Sequence, residues 1–278
     1  MKTLLFLSFL LASLFSWSQA IYGSISGGYQ FGVGKQNLEH HSVTDFIDPY
    51  SPWSWQQVDL SLGKGVQTNF TVGYDFKQHY GVSLTGSYLF GAEFSSKATT
   101  SSDITYERKL SANMLRINPS FRMYVGENRF RTYAEIGFIL GIGKINLTNS
   151  VNVTDTILQE YNYLYDGGVS FGANARFGLE FKLSKRLNIF GEFNFNSQAY
   201  APQKGHLTKY IYNNVDMTET YKHEIIFVDQ LDTDPSTVIV PNEPEVRAKH
   251  SYPFHSYGLT IGVKYILWEK KKEESSEI

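Results

Sequence analysis

Residues 169–183 read VSFGANARFGLEFKL, and their alternation is the strongest constraint in the chain. Odd positions are apolar: Val169, Phe171, Ala173, Ala175, Phe177, Leu179, Phe181 and Leu183. Even positions are small, polar or charged: Ser170, Gly172, Asn174, Arg176, Gly178, Glu180 and Lys182. A period of two specifies an extended strand whose two faces meet different surroundings. Strands of soluble sheets usually run for about five or six residues, and this alternation lasts more than twice as long. At roughly 3.3 Å per residue and a tilt near 45°, it climbs about 35 Å, enough to cross the hydrocarbon core of a bilayer. Its charges lie opposite the apolar row, so the stretch reads as a membrane strand with a polar interior behind it.

A mean hydropathy of −0.27 over 278 residues does not contradict this, because a barrel strand gives every second residue to a polar lumen. The formal net charge of −2 gives no reason to expect nucleic acid as a partner. Without cysteine the chain makes no disulfide, no lipid-anchored thioether and no thiolate metal site. Residues 1–20 read as a signal peptide: Lys2 starts it, residues 4–15 are its apolar centre, and Ser18-Gln19-Ala20 gives the cleavage site. The apolar run is too short to anchor a helix across a bilayer, and no later run approaches that length. Export combined with long alternating strands points to the outer membrane of a Gram-negative bacterium.

Seven further stretches share the pattern. Residues 21–33 set Ile21, Ile25, Tyr29 and Phe31 against Ser24, Ser26, Gly28 and Gln30. Residues 66–76, 80–94, 115–125, 131–142, 186–196 and 256–267 alternate likewise. Pro119 falls on the lipid face of its strand and removes a backbone donor, which predicts a ladder defect or bulge there. The connections at 77–79, 126–128 and 184–185 are short, whereas 34–63, 95–108, 146–166 and 200–252 are long and polar. With both termini in the periplasm, every long connection emerges at the cell surface. The expected fold is therefore an all-β, eight-stranded antiparallel up-and-down barrel over residues 21–268, with a charged, disordered periplasmic tail at 269–278. Within the fourth loop, LTKYIYN and KHEIIFVD form a hairpin standing above the membrane. Lys209 shares a face with Leu207 and Ile211, and a lipid-facing lysine at the midplane costs about 2–4 kcal/mol.

The signal peptide, the eight strands and a last strand reading GLTIGVKYIL resemble the small OmpA/OmpX-type barrels. More narrowly, they resemble the outer membrane protein beta-barrel domain families of Bacteroidota, PorT-like proteins included. The resemblance implies that Gly262, Tyr265 and Leu267 belong to the signal read by the barrel-assembly machinery. It also implies that outer-membrane lipid and lipopolysaccharide surround the barrel.

An eight-stranded barrel is about wide enough for its own side chains to fill. The inward positions carry Arg116, Arg122, Arg131, Arg176, Lys182 and Lys264 against Asp75, Glu135, Glu180 and Glu192. Buried charges must pair or hydrogen-bond, so a salt-bridge plug is expected, with a gated ion path of a minor porin as the alternative. Hairpin geometry places Arg122 near Tyr133 and diagonally near Glu135. For catalysis, His40, His41 and Ser42 with Asp45 and Asp48, and His250, Ser251 and His255, are the groups on offer in the loops. A nucleophile needs a positioned base and an orienting third group, and adjacent loop residues supply neither. A lipid-modifying hydrolase would have to use these residues; no enzyme activity, cofactor or metal is expected. The loops are rich in aromatics, with Trp53, Trp55, Tyr210 and Tyr212 as candidate contacts for a protein or glycan partner. For the two tryptophans, anchoring at the membrane interface is an equal reading.

Overall fold

The computed structural model describes residues 20–33, 60–77, 79–99, 104–126, 129–153, 156–221, 223–230 and 244–270, and its regular elements are all strands. In chain order they are β1 (Ala20–Gly32), β2 (Gly65–Lys77), β3 (Tyr80–Gly91), β4 (Phe94–Thr99), β5 (Ile104–Val125), β6 (Phe130–Val153), β7 (Thr156–Asp166) and β8 (Ser170–Lys182). After these come β9 (Leu187–Tyr200), β10 (Lys204–Tyr212), β11 (Val215–Asp216), β12 (Glu224–Val228), β13 (Glu245–Ala248), β14 (Tyr252–Pro253) and β15 (Ser256–Glu269).

Among the described residues, β1, β2, β3, β5, β6, β8, β9 and β15 pair in a cycle, every pair antiparallel, with β15 returning to β1. Each expected strand corresponds to one member of this ring. Short connections join β2 to β3, β5 to β6 and β8 to β9, so sequence neighbours meet as hairpins. The other end of the ring carries the long connections. The expected signal peptide (all but Ala20), residues 271–278 of the tail, and His40, His41, Ser42, Asp45, Asp48, Trp53 and Trp55 lie outside the described residues.

Two of the expected loops are strand instead. β5 and β6 run for 22 and 24 residues, well past the ring, so most of 95–108 and 146–166 is extended chain. β4 folds back on β5 (Phe94 opposite Leu110), and β7 folds back on β6 (Ile145 opposite Tyr165). Beyond the ring these strands carry Ser, Thr, Asn and charges on both faces. The regular alternation of apolar and polar residues ends there, although Leu110, Leu147 and Tyr165 still pack into a common cluster. β10 adds to β7, β12 to β10, and β13 runs parallel beside β12. An extension of the same sheet, β4-β5-β6-β7-β10-β12-β13, thus stands on the long-connection end, and LTKYIYN and KHEIIFVD belong to it rather than to the ring. At Pro119 the β5–β6 pairing lapses for two residues. The register is the same on both sides, Ile117 opposite Leu140 and Ser120 opposite Gly137, so the defect is a gap and not a bulge.

Alternation sorts the ring residues as the period requires. Ile25, Phe138, Phe171 and Ile261 point outward with 68%, 74%, 72% and 75% of their surface exposed, and none of the described residues covers them. Their inward neighbours are buried and mostly polar.

Two inward glycines have a definite task. Tyr22 lies opposite Gly73 and Tyr133 opposite Gly178, and each ring lies across the bare backbone of its partner. A Cβ at Gly73 would sit 2.1 Å from Tyr22 Cζ, and one at Gly178 2.3 Å from Tyr133 Cζ. Gly73→Ala is expected to lower stability in detergent-micelle urea unfolding by about 1–3 kcal/mol, the usual cost of overpacking. Gly86→Ala, where a Cβ meets nothing within 4 Å, is the matched control and should be close to neutral.

Candidate functional site

The interior of the ring is filled in three tiers. The first, at the short-turn end, is ionic. Arg122 stands directly opposite Glu135, whereas the sequence reading put it beside Tyr133, which in fact faces Tyr124. The hairpin connection is longer than three residues, with Val125 opposite Thr132, and this moves the register by two. Arg122 Nε and Nη2 reach one Glu135 oxygen at 2.6 and 2.5 Å, and Arg176 Nη1 reaches the other at 3.2 Å. Ser83 Oγ also donates to Glu135 at 3.2 Å, and Arg176 donates to Thr85 at 3.1 Å.

A second ionic group adjoins it. Lys264 Nζ lies 3.3 Å from Asp75 and 3.5 Å from Glu180, and Arg131 lies 3.1 Å from Glu180. The Tyr124 hydroxyl donates to Asp75 at 3.0 Å, and Asn188 donates to Glu180. Glu192 accepts from the Tyr133 and Thr260 hydroxyls at 2.8 and 3.0 Å. Three tyrosines wall the cations: Arg122 sits 4.4 Å from the Tyr133 ring centre, Arg131 3.8 Å from Tyr124, and Lys264 3.8 Å from Tyr22. A cation over an aromatic face is favourable, most of all when desolvated. All eight ring strands supply a member. Lys182 is exposed at the short-turn rim and takes no part.

The middle tier is neutral apart from Arg116. Its Nε donates to Gln198 Oε1 at 2.9 Å and its Nη1 to Gln67 Oε1 at 3.1 Å. The sequence reading placed Arg116 among the ion pairs; none of the described carboxylates pairs with it. The third tier, at the long-connection end, is apolar. Leu89, Met114, Ile145 and Tyr200 project inward from the ring, and Leu60, Leu62, Tyr252 and Phe254 cover them from the connections before β2 and β15. Backbone bonds hold the cover in place, Leu62 N–H to Pro253 O at 2.9 Å and Phe254 N–H to Gln198 O at 2.9 Å. This cap was not anticipated from sequence.

Among the described residues, His250 and His255 do not assemble into a catalytic group. His255 Nδ1 accepts from the Gln198 backbone N–H at 3.2 Å and lies 3.3 Å from Ser197 Oγ, while its carbonyl accepts from Ser61 Oγ at 2.6 Å. His255 therefore ties the cap to β9. His250 packs edge-on to Tyr252. Among the described residues no cluster of three His, Asp or Glu side chains is placed to hold a metal.

On the standing sheet the aromatics gather. Tyr161 and Tyr210 stack at 4.7 Å and 7°, Tyr221 follows at 5.0 Å from Tyr210, and His223 lies 6.1 Å beyond Tyr221. Tyr163 and Tyr165 continue the row toward the cap, where Tyr165 meets Phe227 edge-on. Charged pairs border it: Lys209–Glu160 at 3.1 Å, and Arg247–Glu245 with bonds of 2.6 and 2.8 Å. The hydrogen bonds from Arg247 hold the Glu245 carboxyl below the usual range, and burial pushes the Tyr163 hydroxyl up to about 12. Of the two tyrosines singled out from sequence, Tyr210 is in the row. Tyr212 is exposed at the strand tip, before a turn that Asn213 and Asn214 make with positive φ. Gly262 packs against Ile25 and Phe190 on the inside, while Tyr265 and Leu267 point outward, exposed.

No protein-family model matches the chain, and neither does any curated protein, so the PorT-like resemblance has no family match behind it. Solved structures do match. Neisserial surface protein A is 9% identical, covering 89% of this chain and 96% of that one with a TM-score of 0.37. Ail, the attachment invasion locus protein of Yersinia pestis, is 10% identical over 90% and 97%, with a TM-score of 0.28. Acinetobacter baumannii CarO2 is 14% identical over 88% and 98%, also at 0.28. At these distances none of their properties carries over to this chain.

Proposed function

We propose that the chain is an exported outer-membrane barrel of eight strands, sealed along its axis, whose task is performed by the sheet standing beyond the membrane. The cap of Leu62, Met114, Tyr200 and Phe254 over the ionic tier carries this reading. A conducting pore needs a continuous polar path, and an apolar plug above a tier of cross-linked charges offers none. The uncovered apolar belt supports the location, because monomeric soluble proteins rarely expose contiguous patches beyond a few hundred Å². Lipid and lipopolysaccharide meet that belt, and the barrel-assembly machinery inserts it through the last strand.

The working surface is the Tyr161–Tyr210–Tyr221 row with its charged border. Tyrosines offer large, stiff contact area with a hydrogen-bonding tip, which suits a protein or glycan partner.

In planar bilayers the purified, folded protein is expected to give no steady conductance. Crosslinking in intact cells should recover a partner through the standing sheet. Tyr161→Ala combined with Tyr210→Ala should abolish that recovery and leave the unfolding midpoint of the barrel in place. Steady single-channel current would instead establish a minor porin. Recovery unaffected by the double substitution would remove the aromatic row from the account.

A further inference from the structure

The interior charge does not balance. Among the described interior residues five cations, Arg116, Arg122, Arg131, Arg176 and Lys264, stand against four carboxylates, Asp75, Glu135, Glu180 and Glu192; Glu192 is held by the Tyr133 and Thr260 hydroxyls, and Arg116 is the cation with no carboxylate partner. It is 1% exposed. Two amide oxygens turn toward it, from Gln67 and Gln198, and each amide passes its own N–H₂ onward, to Asn69 and Ser170. Dipoles orient to a cation but do not neutralise it, and an uncompensated charge out of water is costly. Arg116 Nη2 has no hydrogen-bond partner. Ser87, its cross-strand neighbour and 2% exposed, has an unpartnered Oγ, and Gln30, fully buried on the wall of the same amide tier, has an unpartnered Nε2. All three atoms are able to donate. Three idle buried donors, one on the unpaired guanidinium and one on the residue directly opposite it, are what a receptor for negative charge needs.

We propose that this middle tier binds one small monovalent anion of the halide class, held by Arg116 Nη2 with Ser87 Oγ and Gln30 Nε2. Water at that place would answer the hydrogen bonds but not the charge. The amide tier, the ionic tier and the apolar cap enclose the site, which favours a compact ion over an organic acid.

The test uses the whole protein folded in detergent, in sodium bromide or sodium gluconate at equal ionic strength. Thermal unfolding is expected to shift upward and saturably with bromide, and the shift should vanish in Arg116→Gln while a smaller one persists in Ser87→Ala. Crystals grown in bromide should give an anomalous peak within hydrogen-bond distance of Arg116 Nη2, a result that does not depend on either variant folding. Equal unfolding temperatures in the two salts, a bromide shift that survives Arg116→Gln, or a side-chain carboxylate occupying the position of the peak would each overturn the proposal.

Discussion

Replacing Glu135 with alanine is expected to cost about 3–5 kcal/mol of unfolding free energy, the range for breaking a buried ion pair from one side. Glu135 is 3% exposed, and it alone separates the guanidinium groups of Arg122 and Arg176. Without it two cations face each other in a dry interior. Urea unfolding of the protein in lipid vesicles measures the loss. Arg122→Met and Arg176→Met made together with Glu135→Leu should recover much of it, because apolar residues of similar volume often replace a buried ion pair or triad without penalty, and the three sites touch and so do not act additively. Conductance should stay silent in both variants, since the apolar cap is a separate tier. A loss below about 1 kcal/mol, the worth of an exposed pair, would mean that water reaches the network.

Ile261→Arg is the second large effect. Ile261 is 75% exposed and lies between Gly27 and Gly191 on its two neighbouring strands, so a longer side chain meets no obstacle. In water such a change would fall within about 0.5 kcal/mol of neutral. Facing lipid near the midplane it should cost about 2–4 kcal/mol. Val215→Arg, also at an exposed apolar residue but at the tip of the standing sheet, should be near neutral in the same vesicles. Equal effects at the two positions would contradict the assignment of different media to them.

What the chain disclosed in advance follows from which medium chose each residue. In β8 the lipid and the interior impose opposite demands on consecutive residues, so 169–183 announces the strand almost to its ends. In β5 before Leu110 and β6 after Leu147 no such contrast exists, and the strands passed for polar loops. The cap left a fainter trace. At Leu89 and Met114 the inward position is itself apolar, giving the consecutive apolar runs 88–90 and 114–115. Those interruptions of the alternation mark where the interior changes from polar to apolar. Of the three tyrosines that wall the cations, Tyr133 was placed from sequence and Tyr22 and Tyr124 were not; the seats of Tyr22 and Tyr133 depend on which glycine lies opposite, and register decides that. Alternation places the network residues on the inward face, but Arg116 and Lys182 stand outside the ion pairs, and the pairing of Arg122 with Glu135 required the true length of a turn.

The most direct measurement exploits the absence of cysteine. Single cysteines introduced one at a time from 170 to 182 in β8, each spin-labelled in the vesicle-inserted protein, report collision with oxygen, which concentrates in lipid, and with a water-soluble nickel chelate. Labels at 171, 173, 175, 177, 179 and 181 should collide strongly with oxygen, and those between them with neither reagent. Odd positions shielded from both reagents, in a protein that stays monomeric without detergent, would contradict the account at its root.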